Sequence, residues 1–196
     1  MGKGDQTRDQ ILRAALNQAS RLGLEGLSIG GLAREVGMSK SGLFAHFGSK
    51  RDLQLAVIDL AAELFIDTVI RPAIREERGE PRIVALFENW TTWTERTAVE
   101  GGDVLASTPW EFDDRPGPVR DLLQQTLSEL HHTLAKAARI AVNQGHFRAD
   151  IDPEQFAFEL HSILLGFHVL NRLFRQPDAP ARARQAFDRL LAQSRP

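Results

Sequence analysis

The amino-acid sequence predicts an all-α protein. Three observations carry that expectation. Apolar residues recur at helical spacing along the long segments, Ser, Thr or Pro start signals precede these stripes, and no stretch makes a convincing strand.

Taken in order, Thr7-Arg-Asp-Gln10 reads as a capping box, opening a helix striped by Ile11, Leu12, Ala15, Leu16, Ala19 and Leu22 that ends near Gly23. Ser28 then caps a second helix whose Ile29, Leu32, Ala33 and Val36 share one face, and Gly37 ends it. Ser39 caps a third, short helix. Its Leu43 and Phe47, with Met38 just before the cap, serve the core, which leaves small polar groups, one cation and Phe44 exposed. A short polar helix set after a tight Gly turn is the layout of a helix-turn-helix DNA reader.

Ser49-Lys-Arg-Asp52 is a further capping pattern, opening a long helix from about 50 to 71. Lys50 and Arg51 fall in its first turn, where cations oppose the macrodipole by about 0.3–1 kcal/mol. A phosphate partner removes that conflict, because the helix end and both side chains attract it.

These residues resemble a known family. Residues 7–58 are similar to the N-terminal DNA-binding domain of TetR-type transcriptional regulators, with GMSKSGLFAHFGSK (Gly37 to Lys50) matching the family's turn, recognition helix and the start of the next helix. The resemblance implies an all-helical homodimer in which a small molecule, bound in a larger C-terminal domain, changes DNA affinity. It places Ser28, Ser39, Ser41, Phe44, His46 and Lys50 where the family touches DNA, mostly at phosphate, with Lys40 and Gly42 on the same helix. Two positions depart from the family pattern. Phe44 stands where Tyr is usual, and Ser41-Gly42 where Gly-Thr is common, so Phe44 donates no hydrogen bond to phosphate and is left to pack against sugar or a thymine methyl.

Composition agrees. The 196 residues carry a formal charge of −2, but residues 1–55 hold eight basic against five acidic side chains, a net +3, and the remainder nets −5. The basic end faces nucleic acid on this reading. With no Cys, disulfides, thiolate metal sites and Cys nucleophiles are excluded. A polar N-terminus and the lack of a long apolar run lead to the expectation of a soluble, cytoplasmic protein with no membrane partner.

The expected domain boundary lies near residue 55, giving a DNA-binding domain over 1–55 and a ligand-binding and dimerisation domain over 56–196. After a polar break at Arg75 to Pro81, Pro81 starts a helix bearing Ile83, Leu86, Phe87, Trp90 and Trp93. Residues 101–118 are rich in Gly, Pro and Asp, with a short helix expected around Val104 to Phe112. Pro118 opens a long helix to about Asn143, and Gly145 stops it. Pro153 opens the most apolar helix, with Phe156, Leu160, Ile163, Phe167, Leu170 and Phe174 in one row and Phe158, Leu165, Val169 and Leu173 in another.

A helix apolar on two sides needs partners on two sides. Self-association supplies the second. Together with a last helix over about Ala179 to Gln193, it suits a four-helix dimer interface built from Phe156, Leu160, Ile163, Phe167, Leu170, Phe174, Phe187 and Leu190. For the effector, Phe87, Trp90, Trp93, Trp110, Phe112 and Phe167 are candidate cavity walls, with His131, His168 and Asn171 as polar handles.

No catalytic spacing, cofactor motif or metal set emerges. His161 and His168, seven apart, lack a third ligand, and no Gly-rich loop follows a strand. The expected function is a ligand-responsive DNA-binding regulator, a repressor that releases a pseudo-palindromic operator when a small molecule binds. The alternatives are a TetR-like protein-interaction module without DNA binding and, last, a small helical enzyme.

Overall fold

A computed structural model describes residues 3–196, and among them there are helices and no strand. The helices are α1 (Lys3–Leu22), α2 (Ile29–Glu35), α3 (Lys40–Phe47) and α4 (Lys50–Phe65), which runs on through a π-helical turn (Ile66–Ile70) into α5 (Arg71–Arg75). There follow α6 (Glu80–Arg96), α7 (Val104–Ser107), α8 (Pro109–Phe112), α9 (Pro118–Asn143), α10 (Pro153–Arg172) and α11 (Ala179–Ser194). No described helix is long and apolar enough to cross a membrane.

Most ends follow their local signals, and two do not. Helix α1 starts at Lys3, so Thr7 lies inside it rather than at its cap. Gly4 costs a helix about 1 kcal/mol relative to Ala, against the one backbone bond that propagation adds per residue. The short helix expected at Val104 to Phe112 is two turns, because Pro109 has no N–H to continue the first and has the φ to start the second.

The chain forms two compact units. One holds the residues up to Leu64 together with Ala98–Gln125, the other Phe65–Thr97 with Thr126–Pro196. The sequence marked one cut near 55, whereas compactness follows the return of residues 98–112 to α1. There the Glu100 N–H donates to Asn17 Oδ1 at 3.2 Å, the Gly101 N–H to Ser20 Oγ at 2.9 Å, and Arg21 pairs with Glu100 at 3.0 Å. No sequence period signals such a return.

In the first unit Ile11, Ala15, Leu16, Leu32, Leu43, Leu53 and Val57 make the core, joined by Val104, Leu105 and Phe112. In the second, Phe65 meets Trp90 and Trp93 edge-on with centroids 4.7 and 5.7 Å away, and Phe87 stacks on Phe187 at 4.2 Å. Such pairs add about 0.5–1.5 kcal/mol each beyond area burial.

Helix α10 corrects the sequence expectation. Phe156 and Leu160, with Phe187 and Leu190 of α11, are buried within the single chain and belong to its core, so they are not free to form an interface. Ile163, Phe167 and Leu170 are half-buried and Phe174 is exposed. The buried spacing is Phe156, Leu160, Leu164, and from Leu165 onward no residue of α10 is buried. The face left open carries Phe158, Val169 and Leu173. Two apolar rows indicate two buried faces; they do not say which one the chain covers itself.

Candidate nucleic-acid interface and effector region

Helices α2 and α3 are held by the caps their serines form. Ser28 Oγ accepts from the Gly31 N–H at 3.0 Å, and Ser39 Oγ from the Gly42 N–H at 3.1 Å. Between them Gly37 takes φ +70°, a backbone that L side chains resist, while the Met38 N–H reaches back to the Ala33 carbonyl at 2.8 Å. That is the sharp turn the sequence demanded.

Helix α3 divides cleanly. Leu43 and Phe47 go into the core, with the Arg8 guanidinium 5.1 Å from the Phe47 ring centroid, and Lys40, Ser41, Phe44 and Ala45 face solvent. Phe44 is 45% exposed, a large ring that the chain does not cover. Gly42 and His46 flank this face and are half-buried. The Lys40 stem lies across Gly30, where a Cβ would come within 2.8 Å of Cε, so the absent side chain of α2 sets the course of Lys40.

The hydroxyls of Ser39 and Ser41 lie 3.1 Å apart. One O–H donates to the other, and the second stays available to a phosphate oxygen. Ser49 and Asp52 form the expected cap of α4, with the Asp52 N–H to Ser49 Oγ at 3.1 Å and Ser49 O–H to Asp52 Oδ2 at 2.6 Å. Lys50 is less free than its sequence implied. Its ammonium donates to the Glu25 carbonyl at 2.6 Å and sits 3.5 Å from the Glu25 carboxylate.

Glu25 is itself held. Its N–H and that of Leu24 donate to the Glu111 carboxylate at 2.8 and 3.0 Å, and Gln54 Nε2 donates to Leu24 O at 3.1 Å and to Glu25 Oε2 at 3.2 Å.

In the second unit His131 and His161 meet, ring nitrogens 2.6 Å apart, with the Trp90 ring 5.7 Å from that of His161. Burial first, and the neighbouring His131 second, push the His161 imidazole down to about 4. It is therefore neutral at pH 7 and shares one proton-mediated bond with its partner. Among the described residues no three His, Cys, Asp or Glu side chains group to hold a metal. A cleft of this unit, about 370 Å³, is walled by the π turn, α5, α6 and α9, and brings Arg78, Arg82 and Lys136 around Ile70, Ile74 and Ile140.

The N-terminal helices match "Bacterial regulatory proteins, tetR family" over residues 11–57, and residues 79–187, more than half the chain, match "Tetracyclin repressor-like, C-terminal domain". The chain belongs to the TetR family. It is a DNA-binding helix-turn-helix transcriptional regulator. The TetR-family protein "HTH-type transcriptional regulator TtgR" of Pseudomonas putida is 22% identical over 182 residues, 90% of this chain and 84% of its own. A TetR transcriptional regulator from Chloroflexus aurantiacus has the same fold, with a TM-score of 0.86 at 24% identity over 98% of this chain and 96% of that one. AibR, solved with isovaleryl coenzyme A and operator DNA, gives 0.73 at 22% identity over 96% and 97%.

Within this TetR chain the sequence-predicted effector residues divide between the two units, Trp110 and Phe112 in the first and the rest in the second. Phe87 and Trp93 are fully packed, Trp90 nearly so, Phe112 is core of the first unit, and Trp110 is 72% exposed. His131 joins His161 instead, and Phe167, His168 and Asn171 are half-buried along α10. None of them lines the 370 Å³ cleft. The sequence reading missed Glu25, Glu111 and the cations of the cleft. The available signal was weak: the Arg75 to Pro81 segment registered only as a polar break, although its Arg78 stands four before Arg82.

Proposed function

We propose that this TetR-family regulator is a repressor, binding a pseudo-palindromic operator as a homodimer and releasing it when a small molecule occupies the region 56–196, while residues 1–55 read DNA. The observation that carries this reading is the division of α3, whose Leu43 and Phe47 anchor it while Lys40, Ser41, Phe44 and Ala45 remain uncovered on a doubly capped scaffold. Ser28, Ser39, Ser41 and Lys50 set the pose on phosphate. Lys40 through His46 are left to read base edges.

The open half of α10 and the residues just after it, with Val169, Leu173 and Phe174 facing solvent, form the face a second copy covers. Two α3 helices then enter major grooves roughly 34–36 Å apart. An effector that tilts α4 spoils that spacing, provided it binds the DNA-incompetent state more tightly. AibR, whose structure holds both isovaleryl coenzyme A and operator DNA, supports this division of labour. Access to the chromosome requires a cytoplasmic protein.

Selection from a random DNA pool, repeated with candidate effectors, tests the proposal. Enrichment of an inverted repeat is expected. Failure to enrich any sequence ends the operator reading, and a monomer by light scattering at DNA-binding concentrations ends the two-half-site geometry.

A further inference from the structure

We infer that the cleft walled by the π turn, α5, α6 and α9 binds an aliphatic chain with one anionic head, a carboxylate or phosphate held by Arg78, Arg82 and Lys136. This rests on the reading of the C-terminal region as the effector-binding part.

Charge comes first. Three cations line the cleft and no acidic side chain does. Among the described residues Arg78 and Lys136 make no hydrogen bond or ion pair, and Arg82 spends only its Nε–H, on the Glu76 carbonyl at 3.0 Å. Unpaired cations gathered in one recess repel one another, and an anion removes that repulsion while taking paired guanidinium hydrogen bonds. The shallower recess that shares Thr133 and Lys136 contains Glu129, so the head belongs toward Arg78 and Arg82.

The remainder of the lining is aliphatic. Ile70, Ile74, Ala137 and Ile140 present hydrocarbon, and Ile74 is 54% exposed. A tail laid along them withdraws that surface from water at about 25 cal/mol per Å². At about 370 Å³ the cleft sits at the small end of ligand pockets, which suits a single chain rather than a fused-ring system.

The cationic rim is also preorganised. Gly79 turns the chain at φ +101°, with the His146 ring where any Cβ would go, and His146 Nδ1 accepts the Glu80 N–H at 3.1 Å. Glu80 in turn pairs with Arg195, and hydrogen bonding to that guanidinium holds its carboxyl below the usual range. The turn carrying Arg78 is thus fixed by His146, in the loop after α9, and by Arg195.

Isothermal titration of the full-length, DNA-free protein with decanoate, decyl phosphate and decanol tests this. Saturable binding of either anion is expected, with decanol at least about tenfold weaker, since charge-assisted hydrogen bonds supply that much. The exposed pair Arg78→Ala and Lys136→Ala should weaken the anion about tenfold or more with thermal unfolding unchanged, and Ala137→Phe, which fills the tail site, should abolish binding. The inference is overturned by equal affinity for decanol, by undiminished binding to the double variant, or by no binding of either anion. A parallel mobility shift separates the two readings. Cleft-dependent binding that leaves operator in place supports the site and sinks effector-driven release; operator release by decanoate that persists in the double variant does the reverse.

Discussion

Replacing Glu111 with Ala should loosen the loop between α1 and α2, although position 111 is 87 residues from Leu24. The Glu111 carboxylate accepts the Leu24 N–H at 3.0 Å and the Glu25 N–H at 2.8 Å, both just past the end of α1. Leu24 is 0% exposed, so water does not take over its N–H when the acceptor goes, whereas Glu25 is exposed and resolvates. A hydrogen bond to a charged group contributes about 1.5–3 kcal/mol, and with one of the two largely recovered by water the expected loss is about 2–3 kcal/mol. Glu111→Gln keeps the shape but turns an NH2 toward one of the two donors, so it restores at most one bond. Gly23→Ala attacks the same contact from the other side: its φ is +81°, and a Cβ would lie 2.9 Å from both carboxylate oxygens. The two substitutions should therefore be less than additive. Amide hydrogen exchange at Leu24 and Glu25, with urea unfolding for the global value, measures the effect. Unchanged exchange at Leu24 together with a stability change under about 0.5 kcal/mol would refute the latch.

Three further outcomes follow from the same geometry. Lys50→Ala should lower DNA affinity and reduce the slope of log K against log salt by about 0.9, the value for one lost phosphate contact, in fluorescence anisotropy titrations; an unchanged slope removes Lys50 from the phosphate set. Phe44→Tyr adds one hydroxyl to an exposed ring and should tighten binding by about two- to tenfold, the worth of a neutral hydrogen bond, whereas no gain means that the ring does not approach phosphate. His161, held at about 4 against 6.5 by burial and then by His131, binds no proton in the folded state over a window where the unfolded chain does. Stability is therefore full above pH 6.5 and falls by up to about 3 kcal/mol as pH drops to 4, and His161→Gln should flatten that part of the pH profile of urea unfolding.

The helices were legible because their end signals are local. Ser28, Ser39, Pro118, Pro153 and Gly37 each act within four residues, and the structure sets helix ends at all of them. The division of α3 was legible for the same reason, since Leu43 and Phe47 are one turn apart. What stayed hidden was partnership. Periodicity reports that a face is apolar without naming what covers it, so the first row of α10 looked like an interface when its Phe156 and Leu160 lie in the core. The aromatic residues likewise looked like cavity walls because size favours both roles, and in Phe87 and Trp93 packing took them. Lys50 and Glu25 are 25 residues apart, Arg78 and Lys136 farther still, and no local spacing joins them.

Glu25 is where these hidden partnerships bear on DNA binding. Its N–H is held by Glu111, its carbonyl by Lys50, and its carboxylate lies 3.5 Å from Lys50 and 3.8 Å from Arg115. The carboxylate pairs are solvent-exposed, and such pairs contribute about 0–1 kcal/mol, too little to keep Lys50 from a phosphate oxygen. The carbonyl contact is compatible with phosphate, because an ammonium has three donors. Glu25 therefore orients Lys50 rather than sequestering it, and the proposed phosphate contact of α4 would be made by a cation already aimed. The aim depends on where the Glu25 backbone sits, and that backbone is tied to Glu111 on α8. A shift of α8 by a fraction of a hydrogen-bond length would thus move a phosphate anchor without touching α3. On the proposed reading the lever on affinity is then the pose of the helix-turn-helix on phosphate, with the proposed base-reading face Lys40, Ser41 and Phe44 left unaltered.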